Sequence, residues 1–433
     1  MNGITRIFIA LTFIVSIATL SCRKEFLPDW WHDKGHVNDK LSNQIILEWS
    51  NAAFEAAGGA AEGHPLLASR TEAMMHIAIH DALNAITPVY EQYVYKSHRY
   101  NSANPFTAVA SAAHTVLKAS WPDSATMLDA KLSASLSGIP DGNSKNEGIA
   151  LGMAAANAIL ALRANDGAYQ NPIADVPVSK VPGVYNAVPP NNFRYAPFWK
   201  SMQLFSLETH EQFRSSPPPA LNSPEYAHAF NEVKNFGKKN SVVRTADQSA
   251  SANFWYEFSD IGWNRIARIQ AKDYNTGLYA TTRMFALLNI AIADTYTAFF
   301  DSQDHYYHWG PYTAIRAADK DGNDQTIADR NWEPFLTTPA VPEYPSGHSA
   351  LGKSASIVLA HFFGNNSPFS TTSTTASPAG AKRSFKSFKQ AADENADSRV
   401  MTGIHFRFSV DAGQKLGDQV GKWTLDNYLK PLR

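Results

Sequence analysis

The 433-residue chain predicts an all-α fold, a helical bundle joined by long irregular loops. Three observations point there. Apolar residues recur at helical spacing in long segments bounded by proline, glycine or hydroxyl residues. No regular run of alternating strands and no internal repeat is present. A content of 44% hydrophobic and 12% aromatic residues is enough to bury a large core.

Residues 40–57 carry Leu41, Ile45, Ile46, Trp49 and Phe54 as one helical stripe. Pro65 suits the first turn of a helix running to Ile86, which ends before Pro88. Residues 106–119 and 145–164 read as two more helices. Residues 171–222 are proline-rich and aromatic with little periodicity, which predicts a long irregular segment packed on the helices. Helices resume over 225–238 and 245–258. The segment 276–303 is apolar on nearly every face (Leu278, Met284, Leu287, Leu288, Ile290), so it belongs at the centre of a bundle. Arg283, Asp294 and a polar first turn argue against its being a membrane span. A helix over 350–363, a flexible Ser/Thr-rich surface loop over 364–380, and helices over 384–402 and 411–428 complete the chain. Residues 40–433 form one domain in this reading.

Lysine and arginine total 38 against 39 aspartates and glutamates, a formal charge of −1 that speaks against a nucleic-acid binder. Residues 1–21 read as a signal peptide, with Arg6 before an uncharged apolar run from Ile7 to Leu20. Thr19-Leu20-Ser21-Cys22 resembles a lipoprotein cleavage site, with Thr19 where leucine is usual. Cys22, the sole cysteine, would then carry the lipid. Residues 22–39 form a tether, and the protein is expected in the periplasm or cell envelope, touching membrane only through that anchor. One cysteine allows no internal disulfide and no cysteine-based zinc site. His76 and His80 are one helical turn apart but lack the intervening glutamate and third ligand of a zinc helix.

Two late segments carry the chemistry. Pro345-Ser346-Gly347-His348 opens a helix, where a hydroxyl, exposed backbone N–H groups and an imidazole make a ready anion site. Ser398-Arg399 and His405 flank a turn at Gly403. Arginine forks two oxygens of an oxyanion, and histidine serves as ligand, nucleophile or acid/base.

Together these segments resemble the vanadium-dependent haloperoxidase and type 2 phosphatidic acid phosphatase superfamily, in its bacterial haloperoxidase-like branch. The family motifs are Lys-x6-Arg-Pro, Pro-Ser-Gly-His and Ser-Arg-x5-His-x3-Asp. The second matches in full at Pro345–His348, and the third matches at Ser398, Arg399 and His405. Gly310-Pro311-Tyr312 and Glu343-Tyr344-Pro345 also resemble that branch, and the motif core spans about residues 276–428. The resemblance implies vanadate as cofactor, with hydrogen peroxide and a halide as substrates. It makes His405 the axial vanadium ligand and His348 the acid/base, with Arg399, Ser346 and the Gly347 N–H on the oxyanion.

The chain departs from the family pattern at three places. Gln303 stands for the lysine, Gly310 for the first arginine, and Ser409 for the aspartate, with Asp411 two places on. Gln303 is then a weakened oxyanion contact, and Arg316, His308 and Lys353 are the candidates, by proximity in sequence, to replace the arginine's charge. Two alternatives stay open. One is a phosphatase acting on a small phosphoester, with His405 as nucleophile and His348 protonating the leaving oxygen. The other is a non-catalytic binding lipoprotein on the same scaffold.

Overall fold

A computed structural model describes residues 41–61, 63–97 and 100–432. The expected signal peptide, Cys22 and the tether lie outside these residues. Helices dominate, as the patterning predicts. They are α1 (Gln44–Ala56), α2 (Pro65–Ile86), α3 (Pro105–Ser120), α4 (Ala125–Ser137), α5 (Asn143–Leu162), α6 (Pro224–Phe236), α7 (Ala246–Phe254) and α8 (Ser259–Asp273). The chain continues with α9 (Leu278–Tyr306), α10 (Pro311–Arg316), α11 (Gly347–Phe363), α12 (Phe388–Met401) and α13 (Arg407–Asn427). Pro65, Pro105 and Pro224 each open a helix, where a missing N–H costs nothing.

α9 is the axis of the fold, buried from Leu278 to Gln303. One side packs against α2, which packs on α3, and α3 on α5; the other side meets α11 and α13. α11 and α13 approach closely because Gly413, Gly417 and Gly421 recur along α13. A side chain at Gly421 would meet Ile357 Cβ and Ser354 O at 3.0 Å, and one at Gly413 would meet Ser349 Cβ at 3.1 Å. This contact fixes the N-terminus of α11, where Pro345-Ser346-Gly347-His348 sits. Among the described residues, no helix is long and apolar enough to cross a membrane.

The irregular segment over 171–222 is held to α9 by Asp294, whose carboxylate accepts the N–H groups of Phe205, Ser206 and Leu207. Its only strands are β1 (Ile173–Ala174) and β2 (Arg194–Tyr195), paired antiparallel. The Ser/Thr-rich stretch departs from the flexible loop expected of it. Part of it is β3 (Phe369–Thr371), which pairs with β4 (Arg383–Phe385). Ser373 Oγ donates to Phe254 O, and Thr374 donates to the Glu257 carboxylate. Composition signalled solvent exposure, but the hydroxyls satisfy buried loop groups instead.

Candidate oxyanion site

Four segments converge on the N-terminus of α11. They are the end of α9 with Gln303, the α7–α8 loop (Trp255–Phe258), the end of α12 with Arg399, and the turn into α13 with His405. Ser346 caps α11, its Oγ accepting from Ser349 Oγ at 2.9 Å, and its own N–H donates to Ser409 O at 3.0 Å. Gly347 is needed for packing: a Cβ there would meet the Phe299 ring at 2.8 Å. Close approach by a ring, rather than by an oxyanion, thus accounts for the missing side chain.

Arg399 is fully buried. Its Nη1 donates to Trp255 O at 3.2 Å, and its Cζ lies 5.9 Å from the centre of the Tyr256 ring. Its Nε has no hydrogen-bond partner, and no carboxylate pairs with it among the described residues. Burial pushes its pKa down to about 10. A buried guanidinium without an anion is costly, so this arrangement calls for one.

The two histidines have defined tautomers. Glu257 O can only accept, so His348 donates its Nε2–H to it at 3.1 Å, leaving Nδ1 as a bare base. Burial, and then the Arg399 charge, hold the His348 pKa well below its ordinary value. In its neutral form His405 donates Nδ1–H to Glu343 Oε1 at 3.1 Å, which leaves the Nε2 lone pair free.

Glu343 is the residue that motif reading missed. The family aspartate position holds Ser409, but the carboxylate beside His405 comes from 62 residues upstream. Glu343 Oε1 also accepts the Phe406 N–H at 2.9 Å, and Ser409 Oγ donates to the Glu343 carbonyl at 3.0 Å. Burial raises the Glu343 pKa, yet the facing imidazoles of His405 and His308 outweigh it and leave the carboxyl below its ordinary value. His308 Nδ1 stands 3.6 Å from Oε2, an ion-pair distance too long for a hydrogen bond. Of the three candidate replacement cations, only His308 reaches this neighbourhood. Lys353 lies toward Asp418, and Arg316 bonds to Trp332 O.

Gln303 donates its amide N–H to Pro345 O at 3.0 Å, while its Oε1 is buried without a partner. Gly310 leaves a gap: a Cβ there would touch only Glu343, at 3.7 Å. That gap is a narrow cavity of about 20 Å³ bounded by Gly310, Tyr312, Glu343 and His405, with no lysine or arginine in its wall.

Residues 283–433 match the family described as the VCPO second helical-bundle domain. The crystal structure of the first bacterial vanadium-dependent iodoperoxidase superposes with a TM-score of 0.78 at 26% identity, covering 92% of this chain and 99% of that one. The chain is thus similar to vanadium haloperoxidases, in its second helical bundle and in its fold. A holo-type bacterial vanadium-dependent chloroperoxidase superposes with a TM-score of 0.68 at 18% identity, over 85% and 93% of the two chains, which speaks to the fold. In sequence, the chain is 24% identical to the vanadium chloroperoxidase of Curvularia inaequalis, over 87% of this chain and 81% of that one.

Glu343→Gln tests the upstream carboxylate. The glutamine still accepts from Phe406 N–H but loses the charge facing His405. Oxyanion affinity is expected to fall about 10- to 100-fold, with little change in melting temperature. Unchanged affinity in titration calorimetry would leave Glu343 a purely structural cap.

Proposed function

We propose that the protein is a vanadate-dependent peroxidase that uses hydrogen peroxide to oxidise a halide. The buried, unpaired Arg399 beside the N-terminus of α11 carries this reading, and the names of its relatives support it. The donor set fits a singly charged, partly protonated oxyanion. Arg399 matches one negative charge, Ser346 and the Gly347 and His348 N–H groups sit at a helix N-terminus, and Gln303 Oε1 accepts an O–H. His405, oriented by Glu343, presents Nε2 as a ligand. Bound vanadate supplies a Lewis-acidic centre that activates peroxide toward halide. His348 Nδ1, neutral and unprotonated, takes up a proton from the incoming peroxide. Tyr256 and Trp255 cover Arg399 and limit water around its charge.

Phosphoester hydrolysis is the second reading, and the Glu343–His405 pair favours it. That pair supplies the carboxylate a nucleophilic histidine needs. It ranks second because a leaving oxygen needs a proton, and His348 has none at Nδ1.

A paired assay separates the two. Vanadate-loaded protein is expected to oxidise halide with peroxide, and His405→Ala to abolish that activity. Vanadate-inhibited phosphoester hydrolysis without halide oxidation would establish the second reading instead. Inactivity in both assays would leave an oxyanion-binding protein.

A further inference from the structure

The cavity beside Gly310 shares part of its lining with a larger groove. Asn186, Val188, Tyr312 and Thr313 line both spaces. The groove has a volume of about 580 Å³, and its far wall carries Arg316 and Arg330. Arg330 is paired with Asp319 at 2.7 Å. Arg316 has no carboxylate partner among the described residues. Asp319 is engaged by Arg330, and Asp321 bonds to Asn323 N–H and the Thr326 hydroxyl. The Arg316 guanidinium lies 4.9 Å from the centre of the Tyr312 ring, with Nη1 on Trp332 O. Val178 on the same wall is 88% exposed. The groove therefore offers one uncompensated cation, an aromatic ring and apolar surface, beside a cavity with room for about one water that His405 also lines.

We propose that this groove binds a small aromatic carboxylate, with its anion on Arg316 and its ring beside Tyr312. Tyr312 and Arg316 lie one turn apart on α10 with the guanidinium 4.9 Å from the ring centre, so one small ligand can reach both. The cavity beside Gly310, about 20 Å³, is too small for the ring. Gly310 creates it, because an arginine there would fill it. On the peroxidase reading, which gives the groove its purpose, hypohalous acid released from the site meets the ring in the groove. Halogen replaces a ring hydrogen, and the ring proton leaves with the hypohalite oxygen as water.

Binding is tested without vanadate, peroxide or halide, so its outcome is independent of the peroxidase reading. The mature protein is titrated calorimetrically with 4-hydroxybenzoate and with its neutral amide, 4-hydroxybenzamide. The acid is expected to bind at least about 10-fold tighter, the amount one charge-assisted contact supplies. Arg316→Gln is expected to remove that preference and Arg316→Lys to keep part of it, with both variants melting as the parent does. Excess orthovanadate should not displace the acid. Equal binding of acid and amide overturns the proposal without needing any variant to fold. So does an unchanged preference in Arg316→Gln, or competitive displacement by orthovanadate, which would put the acid on Arg399.

Discussion

Arg399→Met is expected to abolish oxyanion binding and at the same time stabilise the protein. The guanidinium is buried with one carbonyl contact, an orphaned Nε and no carboxylate partner among the described residues. Its fall from 12.5 to about 10 corresponds to something on the order of 3 kcal/mol against holding the charge there. Methionine fills much of the same volume without that cost, and replacing buried charges by apolar groups is often stabilising by about 1–4 kcal/mol. The lost bond to Trp255 O offsets part of this. A gain of about 1–2 kcal/mol in denaturant unfolding is therefore expected, together with a loss of vanadate or phosphate affinity of at least about 10²-fold. A variant that is both less stable and non-binding would mean Arg399 is a structural keystone rather than an anion receptor.

Restoring the two missing cations should act in the opposite direction. Gln303→Lys with Gly310→Arg adds two charge-assisted contacts, together worth about 3–6 kcal/mol, or roughly 10²- to 10⁴-fold in vanadate affinity. The lower end is expected, because a side chain at 310 passes within 3.7 Å of Glu343, whose carboxylate will share the new arginine. The same arginine fills the cavity beside the groove, so halogenation of a groove-bound aromatic carboxylate should fall. No gain in affinity would place the oxyanion elsewhere than between Gln303, Gly310 and Arg399.

Much of the fold was legible because burial imposes periodicity. α2 runs over Pro65–Ile86 as patterned, and α9 was recognisable as central from its all-round apolar surface. Less was legible where no single stripe exists. α4 buries only Leu128, and α8 mixes Trp263 and Ile266 with Asp260, Arg265 and Arg268, so neither stands out as a periodic run. The site was half readable. Ser346, His348, Arg399 and His405 stand in local motifs and meet in space. Glu343 was hidden because its role depends on a tertiary contact across 62 residues. Its only sequence signal is a carboxylate set between Pro342 and Tyr344-Pro345, just before the helix. Arg316 was readable as a nearby cation, but α10 aims it at the groove rather than at the gap left by Gly310.

Equilibrium dialysis of the mature protein against orthovanadate tests the central claim most directly. The account predicts saturable binding of one vanadate per chain, competed by phosphate and lost in Arg399→Met. Binding that persists in that variant, or no binding up to millimolar vanadate (a free energy of only about −4 kcal/mol), would contradict it.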